Sequence, residues 1–172
     1  MQDTIARYLT NVNDRASARA LQFMIGAVAD RMSSQTLINA GLAIFGAASP
    51  IVKAVNAFHA FANGVPVLKI ANTNMAALSG TVLNATFNVF CFYIDQNGVL
   101  TSQMGAAGVA FSNVVFPVVP KGQAQIGYTL INPTGTGAFV GGTTALDDAT
   151  VVPNAVHVST TGAFDPSIIL GY

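Results

Sequence analysis

Seven basic and seven acidic residues are all the charge that a chain of 172 residues carries, 8% of its length, while 52% of it is hydrophobic. Soluble globular proteins average roughly 25% charged residues. A monomer must turn something polar to water, and Asn, Thr, Ser, Gln and Gly here replace most of the usual Lys and Glu, of which the chain has three and none. Such a surface suits burial against other subunits. The charges also cancel, so no long-range attraction steers the chain toward nucleic acid or an acidic membrane, and no nucleic-acid partner is expected. What charge there is lies unevenly: Arg7, Arg15, Arg19, Arg31, Asp3, Asp14 and Asp30 all fall within the first 31 residues.

That first segment, about residues 3 to 32, places Ile5, Leu9, Val12, Ala16, Ala20, Phe23 and Ala27 at spacings of three and four, the stripe of an amphipathic helix. Extending a heptad from Leu9 and Val12 puts Arg19 on the seam, which argues against a coiled coil along this stripe. The expected assembly interface is Ile5, Leu9, Val12 and Phe23 on the buried stripe, with Arg7, Arg15 and Arg19 free to pair with acidic groups on a partner.

Ser33 and Ser34 offer an N-cap for a second apolar stretch, Leu37 to Ser49, and Pro50 for a third, Ile51 to about Ala62, which ends at Asn63-Gly64. Both are read as helices. No charge occurs between Arg31 and Lys53, but Gln35, Asn39, Gly41, Gly46 and Pro50 interrupt the run, so helices buried in an assembly are expected before a membrane hairpin.

From Val65 onward the pattern turns to strands. Thr86 to Ile94 is aromatic and β-branched with both alternating faces apolar, as in a strand buried between layers. Asp95-Gln96-Asn97-Gly98 is a hairpin turn signal leading into Val99 to Ser102. Further strands are expected at Val114 to Val119, Gln125 to Ile131 after the turn Pro120-Lys121-Gly122, Ala138 to Val140, and Ala155 to Thr160. The fold class read from these patterns is α+β: an N-terminal helical arm, residues 1–63, then an antiparallel β-sandwich or barrel, residues 64–172.

The run Asn132-Pro133-Thr134-Gly135-Thr136-Gly137, continuing through Gly141-Gly142-Thr143-Thr144 and Asp147-Asp148 to Pro153-Asn154-Ala155, resembles a stretch of small structural proteins of tailed bacteriophages, of the decoration, cement or head-fibre type. The resemblance spans residues 85 to 165, including Asp95-Gln96-Asn97-Gly98 and Phe116-Pro117-Val118-Val119-Pro120, and leaves out the helical arm. It implies a class of protein and no chemistry. Physically the same run is turn material: Gly135, Gly137, Gly141 and Gly142 admit unusual backbone conformations, Pro133 and Pro153 restrict the ends, and Thr144 with Asp147 can cap a short helical turn. No Lys-Ser or Lys-Thr follows the glycines, so it is not a phosphate loop.

No catalytic or metal constellation emerges. Asp147-Asp148 lacks a third oxygen cluster at calcium-loop spacing. His59, between Phe58 and Ala60, reads as a packed or interface histidine on a helix, and His157, between Val156 and Val158, as a sheet-surface position. Cys91 sits between Phe90 and Phe92 with no cation nearby, the setting of a buried inert thiol, and a single cysteine allows no intrachain disulfide. The polar opening Met1-Gln2-Asp3-Thr4 is unlike a signal peptide, so synthesis in the host cytoplasm is expected, followed by residence in the virion.

The expected function is that of an accessory capsid subunit, not an enzyme, acting as a homo-oligomer, with a trimer favoured, bound to the capsid shell protein and using no cofactor. A membrane-associated assembly protein with residues 32–62 on lipid is the alternative, and a carbohydrate-binding fibre module a weaker one, since four Tyr and no Trp make a thin aromatic platform. Two isolated His and one Cys fall short of a structural metal site. Chelator is therefore expected to leave the thermal midpoint unchanged in a melting experiment, and a fall of many degrees would reveal a metal held by Asp147 and Asp148 first of all.

Overall fold

A computed structural model describes residues 15–162. One helix, α1 (Arg15–Met32), precedes twelve short strands: β1 (Gln35–Thr36), β2 (Leu42–Ile44), β3 (Val52–Ala54), β4 (Phe58–Ala62), β5 (Val65–Lys69), β6 (Thr73–Asn74), β7 (Thr81–Val82), β8 (Asn88–Ile94), β9 (Leu100–Met104), β10 (Ala124–Ile131), β11 (Phe139–Val140) and β12 (Val156–Ser159). They form four antiparallel sheets, ordered β12-β10-β8-β9, β1-β4-β5, β2-β3-β6 and β11-β7. A helix followed by antiparallel sheet agrees with the expected α+β order.

The four-stranded sheet is organised around β8, all seven residues of which are buried. Period-two alternation sends its side chains two ways. Phe90, Phe92 and Ile94 join Ile126, Ile131, Phe139, Phe58, Val52 and Leu146 in the larger core, while Val89, Cys91 and Tyr93 meet Val114 and Phe116 on the other face. This is the strand between layers that its two apolar faces predict. Its turn also follows the sequence: the Asp95 carboxylate accepts from the Asn97 and Val99 amides at 2.9 and 2.8 Å, and Gly98 takes φ +76°.

The helices expected over Leu37 to Ser49 and Ile51 to Ala62 do not form; β1 to β4 occupy residues 35–62. Burial alternates along β3 (Val52 and Ala54 in, Lys53 half out) and along β4 (Phe58, Ala60 and Ala62 in, His59 out), a period of two that helix-favouring alanines do not reveal. Turns break the stretch where helices would continue. Asn39 Oδ1 accepts from the Gly41 amide at 2.7 Å, and Ser49 Oγ accepts from the Ile51 amide at 3.1 Å, so Pro50 follows a turn instead of opening a helix. Ser34 caps no helix either; its hydroxyl accepts from the Asn63 amide at 3.0 Å in the β4–β5 turn. The change from helix to sheet thus falls at Ser33-Ser34, not near Gly64.

Val114 to Val119 is extended but not a strand, joined to the sheet by the Ala106–Val115 bridge and by the Tyr93 hydroxyl, which donates to the Pro117 carbonyl at 3.4 Å. Pro117 and Pro120 have no N–H to give a ladder. The segment keeps the alternation of a strand, Val114 and Phe116 inward, and covers the second face of β8 without a backbone ladder to it. In the glycine-rich run, Thr144 and Asp147 cap no helical turn: the Thr144 hydroxyl accepts from the Val140 amide at 3.0 Å and Asp147 from the Ala48 amide at 3.0 Å. Gly135 is required for space, since a Cβ there would collide with the Thr150 carbonyl.

Phe139 is fully buried with its ring edge-on to Phe90 at 5.9 Å. Phe139→Ala is expected to cost about 3–5 kcal/mol in urea unfolding, and a loss under 1 kcal/mol, on the order of an exposed-site change, would show that the two-residue β11 does not seal the core.

Candidate assembly surface

Alanine at 16, 18, 20, 27 and 29, no proline and a single glycine at 26 give α1 its helical bias. It stops at Ser33, whose N–H donates to the Ala29 carbonyl, and is fastened there to the β4–β5 turn by Gly64 N–H to the Ser33 carbonyl at 2.8 Å. Every residue from Arg19 to Gly26 is exposed, as are Val28, Ala29 and Met32. The apolar ones include Phe23 at 79% exposure, Met32 at 69% and Ile25 at 60%. The apolar side of this amphipathic helix is therefore uncovered among the described residues.

The expected interface residues are distributed as follows. Ile5, Leu9, Val12 and Arg7 lie outside the described residues, Arg15 opens α1, and Arg19 and Phe23 are exposed on it. At roughly 100° per residue, the large apolar side chains Leu21, Met24, Ile25, Val28 and Met32 share an arc of about 100°, and Phe23 stands roughly 150° from its centre. The stripe through Ala16, Ala20, Phe23 and Ala27 is thus a side of small residues with one large one, beside a broader apolar face that its spacing overlooked. Weighting each position by side-chain volume, not by polarity alone, would have found Leu21, Ile25, Val28 and Met32.

The other chemistry-bearing residues do not converge. Among the described residues no three of His, Cys, Asp and Glu stand close enough to hold a metal. Asp148 makes a turn, accepting from the Thr150 and Val151 amides at 2.8 and 3.2 Å. His59 lies on β4 with its side chain exposed, not on a helix. Cys91 is buried against the Tyr128 strand, whose phenol is pushed up by burial and further by Cys91. The Tyr128 ring stands edge-on to Phe116 at 5.0 Å, so this face of the sheet is packed core. His157 is half-buried on β12 opposite Thr129, its Nδ1 2.9 Å from the Thr129 hydroxyl, and its Nε2 is buried with no protein partner. Burial holds its imidazole below the ordinary 6.5. No helix among the described residues is long and apolar enough to cross a membrane. Within residues 32–62, the stretch that the alternative reading lays on lipid, Ala40, Val52, Ala54, Phe58 and Ala60 belong to the core.

Comparison with known proteins returns nothing: no family model, no curated protein and no solved structure matches the chain.

His157 sets a pH dependence. As pH falls below 6.5 the unfolded chain takes up a proton at this residue before the folded one does, so stability declines from there until the lower folded value is passed. Thermal midpoints measured from about pH 7.5 down to about pH 5 are expected to fall in the parent, and His157→Gln to flatten that part of the profile. Equal slopes in the two proteins would assign the proton uptake to another group.

Proposed function

We propose that the chain is a non-enzymatic structural subunit of a bacteriophage virion, an accessory capsid protein that self-assembles as a trimer through α1 and holds its β-rich part against or above the shell. The observation that carries the reading is the exposed apolar face of α1 on a chain with almost no charge to keep subunits apart. The β-rich part favours partners as well: Val109, Val118 and Ile70 are each more than 70% exposed, and the exposed side chains around them are mostly uncharged. Isolated exposed apolar residues are ordinary, but a set this large on a charge-poor surface is typical of proteins that work in contact with others.

In this reading the four sheets act as a layered sandwich, with the small sheets on one face of β12-β10-β8-β9 and the Val114–Val119 segment on the other. Arg19, with Arg7 and Arg15, is available to acidic groups of the shell. Exposed pairs of that kind contribute only about 0–1 kcal/mol each, so they orient the subunit while apolar contact holds it. Synthesis in the host cytoplasm and residence in the virion complete the proposal.

Light scattering of the full chain at micromolar concentration, without detergent, is expected to give a multiple of the 17.7 kDa chain mass, and mass spectrometry of purified virions to find the chain there. A monomer in solution, or virions without the chain, would refute the reading; solubility only in detergent would favour the lipid-bound alternative.

A further inference from the structure

In a step that rests on the self-assembly proposed above, we infer that α1 mates with α1 of two further copies of this chain in a parallel bundle whose seam is Ala18, Leu21, Ile25, Val28 and Met32.

The spacing along these five residues is three, four, three, four, the a and d positions of two heptads. The register is displaced from the one that runs through Leu9 and Val12, and the displacement removes the conflict at Arg19. Arg19 and Gly26 now share one outer position, Phe23 and Asp30 another, and Arg31 flanks the seam. Every charge of the helix is off the seam, and so is Phe23, the most exposed of its large apolar side chains. The positions beside the seam are Arg15, Gln22 and Ala29 on one side, Ser17, Met24 and Arg31 on the other. When identical helices lie parallel, Met24 of one copy faces Ala29 of the next, and no like charges meet.

The occupant follows from the same pattern. A 3.5-residue repeat of knobs needs a facing helix with the same repeat to supply the holes. Among the described residues α1 is the only α-helix, and the β-rich part has closed its core without it. The matching repeat is the one on another copy. β-branched Ile25 and Val28 occupy both a and d layers, which favours three strands over two. Three identical helices about a threefold axis are necessarily parallel, which sets all the β-rich parts at the Met32 end. There the Ser33 and Ser34 bonds to the β4–β5 turn join each helix to its own sheet, so the bundle positions the displayed parts and does not merely tether them.

The test uses sedimentation and multi-angle light scattering on the full chain in three forms: the parent, Ile25→Asp with Val28→Asp, and Phe23→Asp. All three positions are exposed, so the β-sheet unfolding transition serves as a control and should coincide in all. The parent is expected as a trimer, the double seam variant at one third of that mass, and Phe23→Asp at the parent mass. Direction is read by oxidising Leu21→Cys: parallel helices bring the new thiols together and give a linked pair on a non-reducing gel, and Cys91, being buried, does not compete. A seam variant that keeps the parent mass, a Phe23→Asp variant that falls apart, or the absence of a Leu21→Cys link overturns the seam and leaves the assembly reading standing. A monomeric parent overturns both.

Discussion

The burial of β8 on both faces is the constraint from which the rest of the structure follows. A strand of Asn88-Val89-Phe90-Cys91-Phe92-Tyr93-Ile94 exposes no residue to water, so each face needs a separate cover. On one side the cover is assembled from pieces distant in sequence: β3 and β4, β7 and β11, and the loop carrying Leu146 and Val152. No piece is longer than five residues, and none has a sheet of its own large enough to be stable alone. Their stability is borrowed from the four-stranded sheet, to which their neighbours β1 and β2 are tied by single bonds, the Thr36 hydroxyl to the Gln125 carbonyl of β10 at 2.8 Å and the Leu42 amide to the Ser159 hydroxyl of β12 at 2.7 Å. On the other side a proline-bearing segment without a ladder suffices, because Val114 and Phe116 need only fill space against Val89, Cys91 and Tyr93.

The same division explains which elements were legible. β8, β10, β12 and the Asp95–Gly98 turn carry their signals locally: β-branched and aromatic residues, an acidic turn opener, a glycine at positive φ. The strands from Gln35 to Ala62 do not. They are two to five residues long, too short for a period of two to stand out, and three of their inward positions, Ala54, Ala60 and Ala62, are alanine, which in sequence counts toward a helix. Here tertiary burial overrides propensity. Val114 to Val119 shows the reverse error. Its alternation is that of a strand and its packing is too, but Pro117 and Pro120 deny it the ladder.

The helix was legible as an element, and its largest apolar face was not. Treating alanine and phenylalanine as equal apolar marks draws the stripe through Ala16, Ala20, Phe23 and Ala27, whereas the area available for burial lies on Leu21, Ile25, Val28 and Met32. Burial free energy scales with area, roughly 25 cal/mol per Å², so a face of four large side chains outweighs one of three alanines and a phenylalanine. Arg19, which blocks the first register, is what the second leaves in water.

The shortage of charge then has different meanings in the two parts of the chain. In the β-rich part, several charged groups are engaged within the fold: Asp95 and Asp148 cap turns, Asp147 accepts from the distant Ala48 amide, and Lys53 lies over the Phe45 ring at 5.7 Å. Little is left to repel a neighbour, so this surface tolerates contact without specifying it. Specificity must come from geometry, and the element with a repeating geometry is α1. Arg19, on an outer position, marks the side of the helix that stays wet when the apolar side is covered. In the proposed assembly an almost uncharged sheet-rich part and an amphipathic helix have complementary roles: the first permits association, and the second decides its register.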